Sequence, residues 1–146
     1  MDTACVFCEI MARRAPGHIV YEDGLTVALI DPRQHNPGHV LVVPRTHIND
    51  IRHLDSRTGA GLMDTLIKIT RAVDRAFPNE GMSLWHSIGP AAFHEVPHMH
   101  MHVHPRQLGD GLLRVYPGAP VDADPIARAS YAERLRNVLL AHFPGK

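Results

Sequence analysis

The chain has little of several features that mark particular protein classes. No run of apolar residues approaches the roughly 18 or more that span a membrane, and the first residues lack the apolar segment of a signal peptide. Lys plus Arg and Asp plus Glu number 15 each, so no basic excess favours duplex nucleic acid as a partner. We therefore expect a cytoplasmic protein that binds neither a membrane nor duplex nucleic acid.

Cysteine is also scarce, with two residues in 146. Cys5 and Cys8 are expected to be reduced in the cytoplasm, and their Cys-x-x-Cys spacing is typical of half a zinc site. The other half would have to be histidine, because the chain has no further cysteine. Two ordinary reduced thiols near a helix start are the alternative.

Histidine, by contrast, is abundant, with 12 residues. Residues 98–104 read HMHMHVH, and on a β-strand this alternation places the four imidazoles on one face and Met99, Met101 and Val103 on the other. Neutral imidazole is a nucleophile, a proton carrier and a metal ligand near pH 7. The run therefore predicts one core face and one chemically active face. A solvated strand face or a metal-storage tract would give the same pattern.

The hydrophobic periodicity predicts a single α+β domain over residues 1–146, with a mainly antiparallel five-stranded sheet, one long helix and a C-terminal helix. Asp23-Gly24 between two strand-like runs predicts a hairpin, and Ser56 is the expected N-cap of the long helix. Strands are expected at 18–21, 25–30, 39–43, 82–87 and 98–104, and helices at 5–12, 56–77 and from 124 onward, the last burying Ile126, Leu135, Val138 and Leu139.

Several motifs agree in order along the chain. Residues 5–10 read CVFCEI, residues 21–23 read YED, and residues 37–44 read PGHVLVVP. Together with the His-φ-His-φ-His pattern of residues 98–103, they resemble the histidine triad (HIT) superfamily, in its bacterial Hint-like branch, over roughly residues 5–106. His104 departs from the family pattern, which usually has a second apolar residue there.

This resemblance implies a HIT-like fold, a homodimer and a reaction at the α-phosphate of a purine nucleotide through a nucleotidyl-histidine intermediate. His100, the middle residue of the triad, would be the nucleophile, and His102 would donate to an α-phosphate oxygen. His98 and His39 would position the network. An imidazole nitrogen attacks phosphorus only when its other nitrogen is held by an acceptor, and nearby donors must stabilise the charge that develops on the phosphoryl oxygens.

The resemblance also implies a nucleotide pocket. Asp31 aligns with the acid that binds ribose hydroxyls, although a turn-forming Asp is an equally good interpretation without the family. Ser87 stands where many relatives have a phosphate-contacting Asn. His94 and Glu95 stand where relatives read Gln-Ser, Gln-Thr or Gln-Glu, and the Glu95 carboxylate would repel a phosphate unless a proton or cation intervenes. The apolar wall around the base would comprise Val6, Phe7, Ile10 and Leu29, which without the family are better explained as core.

Relatives that carry both cysteines imply a structural zinc site formed by Cys5, Cys8, His47 and His98. Two functions follow as expectations. The first is a nucleoside phosphoramidase or nucleotidyl hydrolase. The second, favoured by the departures at His94, Glu95 and His104, is a nucleotide- or zinc-binding module with little turnover.

Overall fold

The computed structural model describes residues 5–113 and 115–145. The chain divides into two compact units, Met1–Leu112 and Leu113–Lys146. Among the described residues, the first unit contains the β-sheet and two α-helices, and the second contains one α-helix. The single domain expected over residues 1–146 stays a prediction.

Five strands in the described part of the chain form one antiparallel sheet: β1 (Ile19–Glu22), β2 (Thr26–Ile30), β3 (Val40–Pro44), β4 (Gly81–Trp85) and β5 (Met101–Arg106). Their order across the sheet is β1-β2-β3-β5-β4. The hairpin between β1 and β2 is closed by Asp23, whose Oδ1 accepts from the backbone N–H groups of Leu25 and Thr26, both at 2.8 Å. The α+β class with a five-stranded antiparallel sheet is confirmed.

Two helices, α1 (Val6–Met11) and α2 (Ser56–Ala76), cover opposite faces of this sheet. Val40 and Val42 of β3 pack with the buried face of α2, whereas Leu41 and Val43 pack with the buried residues of α1. Met99 and Val103 of the histidine run are fully buried in the α2 cluster. The apolar half of the HMHMHVH alternation therefore forms core, and the histidines face the α1 side.

Most boundaries differ from the sequence prediction by one or two residues, and β4 ends at Trp85 and not at Ser87. Two of the differences have a clear cause in the hydrogen bonds. Strand β5 starts at Met101 and not at His98, because the backbone N–H of Met99 donates to Ile48 O (2.7 Å) outside the sheet. The N-cap of α2 is Asp55 and not Ser56, because Asp55 Oδ1 accepts from the backbone N–H of Thr58 at 2.8 Å.

The second unit contains α3 (Pro125–His142), with Asp124 as N-cap and Pro125 in the first turn, as the sequence predicted. The expectation that α3 buries apolar residues is wrong for the single chain. Its apolar residues lie around the helix and form no stripe, and the four expected in the core are 46–80% exposed: Ile126, Leu135, Val138 and Leu139. No helix in residues 5–113 or 115–145 is both long enough and apolar enough to cross a bilayer.

Candidate active site

Four imidazoles form a continuous row on the α1 face of the sheet. Ring centroids are 5.0 Å apart for His100 and His102, 5.1 Å for His102 and His39, and 4.5 Å for His39 and His104. His39 reaches the row because β3 pairs with β5 and places Leu41 opposite His102. The structure thus joins a histidine from before β3 to a run more than 50 residues later in the chain.

His100 has one ring nitrogen fixed and one free. Its Nδ1 lies 2.7 Å from the carbonyl oxygen of His98. A carbonyl oxygen can only accept, so Nδ1 carries the proton and Nε2 keeps its lone pair. This is the tautomer that a nucleophilic imidazole requires.

His39 and His102 form a directly hydrogen-bonded pair, with His39 Nε2 and His102 Nδ1 2.9 Å apart. His39 Nδ1 donates to Arg33 O at 3.1 Å, so in the neutral pair His39 Nε2 accepts from His102 Nδ1. His102 Nε2 is then an acceptor. It can donate to a phosphate oxygen, as expected from the sequence, only when the pair holds one further proton.

Burial keeps the row neutral. It is the main cause that lowers the pKa values of His39, His100 and His104 below the ordinary histidine range. Burial, reinforced by the neighbouring His100 and His39, lowers the pKa of His102 to about 3. The Asp31 carboxylate, 3.5 Å from His39 Nδ1, acts in the opposite direction on the pKa of His39.

Asp31 is buried next to the row and makes the turn contact that the sequence offered, whereas its binding of ribose hydroxyls stays a prediction. Its Oδ1 accepts from the backbone N–H of Arg33 at 2.8 Å, which is the turn role, and its Oδ2 faces His39. The same loop is braced by Gln34, whose side-chain oxygen accepts from the backbone N–H groups of Gly38 (2.8 Å) and His39 (3.1 Å). Gln34 was not singled out from the sequence, because a loop glutamine carries no recognisable signal.

Glu95 has the cationic partner that a carboxylate near a phosphate needs. Arg33 Nη1 lies 3.0 Å from Glu95 Oε2, and both side chains are largely exposed. An exposed ion pair of this kind contributes at most about 1 kcal/mol to stability. Its importance is therefore that it neutralises Glu95 and not that it holds the loop.

The apolar residues expected around a base divide into two groups. Phe7 packs edge-on against His100, with ring centroids 5.1 Å apart, and also against His98. Ile10 and Leu29 are buried in the same cluster as Phe7, whereas Val6 is 46% exposed. Ser87 is half-buried, two residues past the end of β4. The part of these five residues in binding a nucleotide stays a prediction.

Cys5, Cys8, His47 and His98 form a compact group whose ligand atoms all lie within 4.8 Å of one another. The Nδ1 of His98 is 3.4 Å from Cys5 Sγ, 3.6 Å from Cys8 Sγ and 3.0 Å from His47 Nδ1. A tetrahedral zinc ion, with Zn–S of about 2.3 Å and Zn–N of about 2.0 Å, places sulfur and nitrogen about 3.5 Å apart and two nitrogens about 3.3 Å apart. The four donors therefore fit zinc.

The protonation of His98 also suits a ligand. Its Nε2 donates to Pro44 O at 2.8 Å, which leaves Nδ1 unprotonated and directed at the two sulfurs. A ligand histidine that donates its other N–H to a backbone carbonyl is the usual arrangement around zinc. A second cluster with ligand-type side chains, Asp31, His39 and His102, belongs to the imidazole row, where hydrogen bonds already use its donor atoms.

Two aromatic residues beside the row were not predicted from the sequence. Trp85 stacks on His102 with ring centroids 4.2 Å apart and an interplanar angle of 5°, because β4 pairs with β5 and places these residues opposite each other. His86 donates from Nδ1 to His100 O (3.2 Å) and accepts at Nε2 from the backbone N–H of Ile51 (3.2 Å). Trp85 could have been found only from the register of β4 against β5, because that register decides which residues of β4 lie beside the imidazoles.

An antiparallel five-stranded sheet with a row of neutral imidazoles on one face defines an α+β protein suited to histidine-based chemistry. A family model described as the HIT domain matches residues 12–109, and the chain belongs to the HIT family. The resemblance noted from the sequence is thereby confirmed.

Three similar proteins extend this result. A member of the HIT family from Bacillus subtilis has a solved structure that is 31% identical, with a TM-score of 0.85 over 92% of this chain and 96% of that one. A zinc-bound histidine triad family protein from Mycobacterium smegmatis is 33% identical, with a TM-score of 0.68 over 92% and 97%. The adenylylsulfatase HINT3 of Arabidopsis thaliana is 28% identical over 112 residues, which are 77% of this chain and 57% of that protein.

Proposed function

We propose that this protein is a nucleotide hydrolase or transferase, such as a nucleoside phosphoramidase, that acts at the α-phosphate of a purine nucleotide. Membership of the HIT family implies a function in nucleotide binding or hydrolysis. The hydrolase activity in the name of the Arabidopsis relative supports an enzyme. The observation that carries the proposal is His100, whose Nδ1 is fixed by His98 O while Nε2 keeps its lone pair.

The reaction proceeds in two displacements. In the first, His100 Nε2 attacks the α-phosphorus, the bond from phosphorus to the leaving group breaks, and the leaving group departs with a proton. In the second, water attacks the nucleotidyl-histidine, loses a proton, and releases His100 in its original tautomer. Splitting one displacement in this way lets the same face of the pocket stabilise both transition states.

The neighbouring residues bind and orient the substrate. The His39–His102 pair donates to an α-phosphate oxygen once the pair has gained a proton, and Asp31 balances that charge from 3.5 Å. Asp31 also offers a carboxylate to the ribose hydroxyls. Phe7, against the His100 ring, forms one wall for the base, together with Val6, Ile10 and Leu29. Ser87, His94 and Glu95 lie at the phosphate and leaving-group end.

We also propose that Cys5, Cys8, His47 and His98 bind one structural zinc ion, as the donor geometry and the zinc-bound Mycobacterium smegmatis relative support. Zinc would close a tetrahedral site and fix α1 to the segment before β5. His98 links this site to the nucleophile, because its side chain lies among the cysteines while its carbonyl oxygen holds His100 Nδ1. Free thiols fit the proposed cytoplasmic location.

We further propose a two-fold homodimer that uses α2 and β4. Strand β4 lies at the sheet edge, and its Leu84 is 43% exposed. Met63 and Ile67 on α2 are 57% and 44% exposed. An edge strand and a helix with exposed apolar side chains are both surfaces that a second copy covers in a two-fold contact.

The function is tested by steady-state hydrolysis of a fluorogenic adenosine phosphoramidate. His100→Ala should lower turnover by about 10³-fold or more, because the covalent bond no longer forms. His18→Gln, which changes an exposed histidine outside the site, should leave the rate unchanged. Equal background rates from wild type and His100→Ala would instead favour a nucleotide- or zinc-binding module, which the Cys/His cluster also suits.

A further inference from the structure

Two imidazoles around the candidate site, those of His94 and His104, have a buried Nε2 without a hydrogen-bond partner among the described residues. His104 lies at the far end of the row, whereas His94 lies beside His100. The ring centroid of His94 lies 6.0 Å from that of His100 and 6.3 Å from that of His86. Its backbone is held by a hydrogen bond from the His94 N–H to Gly89 O at 3.2 Å. A buried polar atom without a partner is costly, so this nitrogen requires an explanation.

The distance between His94 and His100 excludes a direct hydrogen bond between their rings. The bonded pair His39 and His102 has centroids 5.1 Å apart with its nitrogens at 2.9 Å. At 6.0 Å, the rings of His94 and His100 are too far apart for the same contact and close enough to touch one phosphoryl group together. A substrate atom can therefore satisfy the free nitrogen of His94.

Two other ionisable side chains on this side of His100, those of His86 and Glu95, already bind other groups of the protein. His86 uses both ring nitrogens in backbone hydrogen bonds, to His100 O and from the Ile51 N–H. Glu95 pairs with Arg33 at 3.0 Å and lies largely in solvent. His94 therefore lies beside the nucleophile with a ring nitrogen, Nε2, that makes no hydrogen bond to the described residues.

We propose that His94 protonates the leaving group from Nε2, an inference that rests on the nucleotidyl transfer proposed above. As His100 Nε2 forms its bond to phosphorus and the bond from phosphorus to the leaving nitrogen or oxygen breaks, protonated His94 gives its proton to the departing atom. In the second displacement, neutral His94 takes the proton from the attacking water. The histidine is then ready for the next turnover, and all protons balance.

This role defines a substrate class. A basic alkylamine cannot leave phosphorus as an anion, so its departure depends on a proton donor, whereas 4-nitrophenolate leaves unaided. A glutamine at position 94 would donate a hydrogen bond but transfer no proton at neutral pH. The chain is therefore suited to nucleotides joined through the α-phosphate to poor leaving groups such as alkylamines.

The test compares two substrates, an alkylamine phosphoramidate of adenosine monophosphate and its 4-nitrophenyl ester. His94→Gln should lower kcat/KM for the phosphoramidate by about 10²–10³-fold, within the usual range for general acid catalysis. Its kcat/KM for the ester should change by less than about threefold. His18→Gln serves as the matched control, with both rates expected to equal those of wild type.

His94→Ala provides a second, independent measurement. Added imidazole should restore its kcat/KM for the phosphoramidate, which reports the first displacement, and leave its kcat/KM for the ester unchanged. Equal losses on both substrates without rescue by imidazole, or no loss on either, would overturn the role of His94 while leaving the nucleotidyl transfer intact. A wild-type chain that cleaves neither substrate would overturn the proposed function itself.

Discussion

The group formed by Cys5, Cys8, His47 and His98 allows a test that needs no substrate. We expect metal-free chain to bind one zinc ion, because the donor atoms already stand at tetrahedral separations, with 3.4–3.6 Å from the sulfurs to His98 Nδ1 and 3.0 Å between the two nitrogens. The double variant Cys5→Ser/Cys8→Ser should not bind it. Isothermal titration with zinc chloride, followed by elemental analysis, measures both.

The expected size of the effect follows from linkage. A ligand that binds only the folded chain stabilises it by about 4 kcal/mol when its free concentration is 1,000 times its Kd. For domains of this size range, 1 kcal/mol raises the Tm by roughly 2–8 °C, so zinc should raise the Tm by at least about 8 °C over the chain in EDTA. The variant His53→Gln, which alters an exposed imidazole outside the cluster, should keep the full shift.

Protons provide a further readout of the same site. Burial, with the neighbouring Cys5, raises the pKa of the Cys8 thiol to about 11 in the metal-free chain. Zinc binds the thiolate, so binding must release a proton, and zinc affinity should fall as the pH falls. A Cys5→Ser/Cys8→Ser variant that binds zinc as tightly as wild type, with the same rise in Tm, would refute the assignment of the ligands.

Three further predictions follow from the same contacts. Light scattering should give a particle of about 32 kDa, twice the mass of the 16.2 kDa chain, and Leu84→Glu on the β4 edge should shift the protein toward the monomer. A wild-type monomer at micromolar concentration would contradict the dimer. Burial lowers the pKa values of His39, His100 and His102 in the folded chain, so the unfolded chain takes up more protons below about pH 6.5. The urea midpoint of unfolding should therefore fall from pH 7 to pH 5. A constant or rising midpoint would be inconsistent with buried neutral imidazoles. Binding of adenosine monophosphate at pH 7.5 should take up about one proton into the His39–His102 pair, measured by calorimetry in two buffers of different ionisation enthalpy, and His39→Gln should abolish the uptake.

Much of the fold could be predicted because its signals are local. The turn residues Asp23-Gly24 and the alternation of residues 98–104 each depend on a few neighbouring side chains, and the structure has the hairpin and the buried Met99 and Val103. The start of β5 could not be predicted, because it depends on Met99 N–H bonding to Ile48, some 50 residues away in the chain. The same limit applies to Trp85, whose stacking on His102 follows from the register of β4 against β5.

The different roles of the histidines in residues 98–104 have the same origin. Four identical side chains alternate along one segment, so nothing in residues 98–104 distinguishes them chemically. What separates them is the acceptor that each ring meets. Pro44 O takes the Nε2 proton of His98 and leaves its Nδ1 for the sulfurs, whereas His98 O takes the Nδ1 proton of His100 and leaves its Nε2 for phosphorus. The acceptor for His102 is another ring, that of His39, and this makes its donor capacity depend on a shared proton. The family pattern can name the role of each histidine, but the role itself depends on the acceptor that the ring meets. Those acceptors are two backbone carbonyls and one distant histidine, and only the folded chain brings them within hydrogen-bonding distance.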